Sequence, residues 1–109
     1  MTIEQTLQSL VHSLERIYGD LLVRIVLYGS TARGDDTDES DIDIAVIMKD
    51  GASPEMYGAQ LDVVVDLQLE CDKVISIMRI NVDKFNECCN MIPLYKNIKD
   101  DGIVLWEVV

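Results

Sequence analysis

Apolar and polar positions recur with two different periods along this chain, and the changes of period mark out its elements. In "TIEQTLQSLVHSLERIYG", Ile3, Leu7, Leu10, Val11, Leu14 and Ile17 are spaced by three and four, which is one face of a helix. Thr2 and Gln5 predict a capping box at its start and Gly19 its stop. "LLVRIVLY" is a β-branched run, too short for a helix between Gly19 and Gly29, and predicts a buried strand. "STARGD" reads as a turn or one short helical turn, "DTDES" as a polar loop and "DIDIAVIMK" as a second strand. "DGASP" breaks the chain again, with Ser53 as N-cap and Pro54 at the first helical position. From there Tyr57, Gln60, Leu61, Val64, Leu67 and Cys71 suit one helix face. "KVISIMRI" predicts a third strand and "VDKFNECCNM" a short helix or turn. "PLYKNIKDDGIVLWEVV" closes on an apolar segment that suits a strand. The sum is an α/β fold, a small mixed β-sheet flanked by helices.

Length and composition narrow this picture. At 109 residues the chain predicts one domain, 1–109, with a single modest core. No apolar run approaches the ~20 residues of a membrane span. "MTIEQTLQSL" lacks the basic region and apolar stretch of a signal peptide, so the expectation is a cytoplasmic protein. Twenty acidic residues stand against nine basic ones, a net charge of −11. Such a surface repels a phosphate backbone and argues against broad nucleic-acid binding. It favours a basic protein partner or bound cations, although solubility alone accounts for it equally well.

The remaining single residues carry little chemistry. Cys71, Cys88 and Cys89 lack zinc-ligand spacing and read as reduced, partly buried thiols. His12, the lone histidine, falls in a helical pattern with no ligand set, which argues against a Ser–His or Cys–His nucleophile. Tyr95, Lys96, Asn97 and Lys99 read as a solvated loop ahead of a segment reaching a nucleotide or a partner, and Tyr95 and Trp106 as packing residues ahead of base-stacking platforms. "GIVLWEVV" fits an edge open to association, including a homo-oligomer, as well as it fits an ordinary core strand.

The chemistry concentrates in "LYGSTARGDDTDESDIDIAVIM". On a strand Asp41 and Asp43 point to one face while Ile42 and Ile44 point to the other. Two carboxylates so close repel by roughly 1–3 kcal/mol at an intermediate effective dielectric. A hard divalent cation reverses that cost, and oxygen ligands suit magnesium or manganese, which fill their shells with water and substrate phosphates. Gly29 has no side chain to keep a phosphate from its backbone. Ser30 adds a hydroxyl and an N–H, and Arg33 a charged fork suited to phosphate oxygens. Singly, a Gly-Ser is usually a turn and an Asp-x-Asp a solvated strand end. Ten residues apart between two apolar strands, they point to a metal–nucleotide site.

"GSTARGDDTDESDID" resembles the Gly-Ser-x10-Asp-x-Asp signature of the DNA polymerase beta-like nucleotidyltransferases, and the length resembles their minimal nucleotidyltransferase (MNT) group. The order of elements agrees over most of the chain, while the sharp motif is confined to Tyr28–Val46. The resemblance implies transfer of a nucleoside monophosphate, AMP in some members, from a nucleoside triphosphate to a hydroxyl. It implies Asp41 and Asp43 as catalytic metal ligands for Mg2+ or Mn2+, with Gly29, Ser30 and Arg33 on the nucleotide. It further implies an antitoxin whose partner is a helical HEPN-type toxin, modified on a tyrosine or neutralised by contact alone. Active relatives carry a third carboxylate on a later strand. Here the alternation of "KVISIMRI" sets Val74, Ser76 and Met78 on one face and Ile75, Ile77 and Arg79 on the other, so Ser76 takes that place. Asp72 shares its parity but lies roughly 13 Å earlier at about 3.3 Å per residue, and Asp66 qualifies only if its segment is a strand.

Overall fold

A computed structural model describes residues 2–34 and 41–108. Helix α1 spans Ile3–Tyr18, with the Thr2–Gln5 capping box formed in both directions and Gly19 at φ +53° as its C-cap. One turn of 3-10 helix, Gly19–Leu21, leads into strand β1, Leu22–Tyr28. The short helix α2, Gly29–Arg33, follows at once, and strand β2 runs from Ile42 to Met48. The predicted "DTDES" loop lies outside the described residues. Helix α3, Pro54–Cys71, starts on the Ser53 hydroxyl, which accepts from the Met56 N–H, and strand β3 covers Ile75–Asn81. Helices α4, Val82–Cys88, and α5, Pro93–Asp101, precede strand β4, Ile103–Glu107.

The strands lie in the order β3-β2-β1-β4. β1 pairs antiparallel with β2 and β4, while β2 and β3 run parallel. That parallel pair requires a crossover, and α3 is long enough to supply it. The sheet is therefore mixed, as expected, and each face carries its own core. On one face Leu10, Leu14 and Tyr18 of α1 and Leu67 of α3 meet Ile25, Leu27, Ile42, Ile44, Val46 and Ile75. On the other, Phe85 of α4 and Ile98 of α5 meet Val26, Ala45, Ile47 and Ile80. β2 feeds both cores alternately, which makes it the most enclosed strand. Among the described residues no helix is long and apolar enough to cross a membrane.

Two expectations change. "PLYKNIKDD" is helix α5, not a solvated loop: Pro93 opens it, and Leu94, Tyr95 and Ile98 form an apolar face on the second core. Of the face predicted for α3, Gln60 and Leu67 are buried, whereas Tyr57 and Leu61 at its border are exposed. The buried Gln60 is satisfied, its Oε1 accepting from the Tyr18 hydroxyl. β4 is both things its sequence allowed. Leu105 and Trp106 pack on the first core, while the strand forms a sheet edge with Ile103 and Val104 exposed. All three cysteines are free and half-buried.

Candidate active site

The Gly-Ser turn and the Asp-x-Asp strand, ten residues apart in the chain, meet at one end of the β1–β2 pair. Asp43 stands opposite Tyr28 across β1 and opposite Ser76 across β3. It occupies the same face of β2 as Ala45 and Ile47, at the margin of the second core. Asp41 lies two residues earlier, outside the strand, and is exposed. The Thr31 hydroxyl donates to the Asp41 carbonyl at 3.3 Å, tying α2 to the approach to β2.

Gly29 is the closest point of contact. It sits at φ +78°, a conformation that side chains disfavour. A methyl group there would overlap Asp43 Oδ2 and come within 3.2 Å of its Cγ. Glycine is thus required twice, by the backbone conformation and by the carboxylate pressed against it. Ser30 follows as the second residue of α2. Gly34, also at φ +78°, ends the helix, its N–H donating to the Ser30 and Thr31 carbonyls. Arg33 lies in the last turn and is exposed.

The charges of the motif interact. Burial holds the Asp43 carboxyl above its ordinary pKa, the negative charge of Asp41 adds to that, and Arg33 opposes both. The Tyr28 hydroxyl is raised as well, by burial first and then by Asp43. The two carboxylates therefore repel one another at this strand end, and Arg33 offsets that repulsion in part. A hard cation fits this donor set, since two carboxylate oxygens in mutual repulsion gain when a divalent charge is placed between them. Tyr28 was overlooked because it reads as one more residue of an apolar strand. Only the register with β2 reveals its place beside Asp43.

Ser76 occupies the position directly across from Asp43 on β3, so its predicted face holds. Neither alternative acid reaches the site. Asp66 is exposed on α3, which packs on the opposite sheet face, and Asp72 is the C-cap of that helix at φ +56°. Among the described residues no three His, Cys, Asp or Glu side chains converge. The lysines of α5 are engaged elsewhere: Lys96 pairs with Asp100 at 2.7 Å, and Lys99 donates to Asn90 Oδ1 at 3.2 Å.

Comparison with known proteins places this geometry. Residues 14–108 match the family model described as "Polymerase beta, Nucleotidyltransferase". The chain is 30% identical over 106 residues to the Methanocaldococcus jannaschii protein named "Putative protein adenylyltransferase MJ0604", covering 97% of this chain and 100% of that one. A solved structure described as a "putative minimal nucleotidyltransferase" superposes with a TM-score of 0.58 at 19% identity, over 94% of this chain and 95% of the other. A chain from the complex of tri-AMPylated Shewanella oneidensis HEPN toxin with MNT antitoxin superposes with a TM-score of 0.54 at 19% identity, over 96% of this chain and 72% of that one.

Proposed function

We propose that this chain, which belongs to the polymerase beta nucleotidyltransferase family, moves AMP from ATP to a hydroxyl on a helical HEPN-type partner. The observation that carries the reading is the fit of Gly29 against Asp43, which joins the two halves of the motif into one site. The M. jannaschii relative's name supports adenylyl transfer, and the Shewanella complex supports a HEPN-type acceptor.

The proposed reaction is a displacement at the α-phosphorus. The acceptor hydroxyl oxygen forms a bond to that phosphorus, and the bond from phosphorus to the oxygen bridging to the β-phosphate breaks. Pyrophosphate leaves with the electron pair, and the hydroxyl proton passes to solvent. Asp41 and Asp43 would hold Mg2+ or Mn2+, which supplies positive charge against the triphosphate. The Gly29 backbone lets a phosphate oxygen approach, Ser30 offers its hydroxyl and N–H, and Arg33 offsets negative charge. Ser76, standing where an acid would take the acceptor proton, supplies no carboxylate base, and among the described residues no third acid converges with Asp41 and Asp43. General-base assistance is worth ~10²–10⁴-fold, so transfer is slow.

Ser76 also favours a second reading, an antitoxin that works by contact alone. The test separates the two. Calorimetry with ATP and magnesium compares the wild type with Asp41→Asn/Asp43→Asn, and mass spectrometry follows the co-expressed partner. Loss of binding in the variant and an added AMP mass on the partner support transfer. Equal nucleotide binding by both proteins sinks the site. Neutralisation by the variant with no mass change favours the contact reading.

A further inference from the structure

Helix α3 exposes an apolar row that its own fold does not use. Tyr57, Leu61, Val65 and Leu69 are four apart and 41%, 46%, 52% and 80% exposed. At 1.5 Å per residue the row is about 18 Å long, over three helical turns. It lies at the outer side of the sheet: the Arg79 guanidinium of β3 covers the Tyr57 ring at 4.4 Å from its centroid. At the other end Gln68 Oε1 accepts from the Ile75 N–H at 2.8 Å, and β3 is itself the sheet edge. Isolated exposed apolar residues are ordinary on a protein surface, whereas a continuous row of four large ones marks an interaction face.

The next row round the helix identifies the occupant. Asp62, Asp66 and Glu70 each follow a member of the apolar row by one residue, and all three are exposed. Glu55 adds a fourth acid, and α3 contains no lysine or arginine. A second copy would bring two acid-only helices together in a chain whose net charge is already −11. We infer that α3 docks a helix of a different protein, one with an apolar stripe bordered by lysine and arginine. Leucine-type side chains of that helix cover Leu61, Val65 and Leu69, and its basic border faces Asp62, Asp66 and Glu70. Because α3 packs on the sheet face opposite the one that bears Asp43, the docked helix leaves the Gly29–Asp43 site open. The docking stands independently of nucleotide transfer.

The probe is a synthetic amphipathic helix with a leucine stripe bordered by lysine and arginine, read by fluorescence anisotropy beside a twin bordered by glutamate. The basic peptide should bind, more weakly as salt is raised, and the acidic twin should not. Leu61→Ser/Leu69→Ser should weaken binding at least ~10-fold, the loss expected from removing two central anchors. Asp62→Asn/Asp66→Asn/Glu70→Gln should flatten the salt dependence. All these positions are exposed, so melting within a few degrees of wild type verifies the fold of each variant. Absence of binding, equal binding of the twin, or indifference to the leucine replacements overturns the inference. So does a dimer of the free protein, in sedimentation, that Leu61→Ser/Leu69→Ser dissolves.

Discussion

Gly29→Ala and Gly34→Ala form a matched pair, because both glycines sit at φ +78° and, among the described residues, only Gly29 has a neighbour in the path of a new methyl. At Gly34 no described residue lies within 4 Å of the new methyl, so alanine meets the backbone cost of a left-handed conformation, about 1–2 kcal/mol. At Gly29 the same cost applies, and the methyl also overlaps the Asp43 carboxylate. Turning that side chain off its rotamer adds about 0.5–1.5 kcal/mol, for a total of about 1.5–3.5 kcal/mol. With about 4 °C of melting temperature per kcal/mol for a domain of this size, Gly34→Ala should lose about 4–8 °C and Gly29→Ala about 6–14 °C, some 2–6 °C more. Thermal unfolding followed by circular dichroism reads the difference. Titration with magnesium and ATP reads the consequence for the site, since only Gly29→Ala displaces Asp43. Equal melting losses in the two variants, with ATP binding unchanged in both, would refute the claim that Gly29 is shaped around the carboxylate.

Two further predictions concern the charges. The Asp43 pKa is raised in the fold, so the native state holds a proton that the unfolded chain releases, and stability falls as pH rises through the interval from the unfolded to the folded value. Asp43→Asn should remove that slope in denaturant titrations run across the acidic range, and should equal or exceed wild-type stability at neutral pH without metal; a steeper slope in the variant would count against it. Ser76→Asp should place a third carboxylate directly across from Asp43, tightening magnesium binding in calorimetry and raising transfer by up to ~10²-fold or more. Asp66→Asn and Asp72→Asn should leave both unchanged, and an equal gain or loss from either would show that the strand pairing is misassigned.

What could be read from the residues was local or periodic. The Thr2–Gln5 box, the Gly19 stop and the Ser53–Pro54 start depend on groups a few positions apart, and each formed as spaced. Parity grouped Ser76 with Val74 and Met78 because a strand leaves only two faces, and the family resemblance set that face beside Asp43. The crossover through α3 then brought the two into register. The contact of Gly29 with Asp43 was not readable: the motif spacing announces a shared site, but which backbone atom meets which carboxylate depends on the pairing of β1 with β2. α5 was missed because polar residues dominate "YKNIKDD", although Pro93 and the spacing of Leu94, Tyr95 and Ile98 carried a helix signal. The exposed row on α3 escaped for a different reason. A helix shows its apolar positions in sequence, but how many of them a narrow sheet can cover is a property of the assembled fold.

The separation along the chain of the β1 partners has a consequence for how the molecule assembles. Tyr28 meets Asp43 after 15 residues, whereas Arg24 meets Glu107 after 83, through a guanidinium–carboxylate pair at 2.9 Å. Loop-closure entropy scales as (3/2)RT ln n, so joining β4 costs about 1.5 kcal/mol more than closing the β1–β2 hairpin. The hairpin that brings Gly29 to Asp43 is therefore the cheaper pairing to nucleate, and β4 is the later addition. Replacements within the hairpin should slow refolding, and those in β4 should chiefly hasten unfolding. The motif that carries the chemistry is then also among the first parts of the chain to find its native partners.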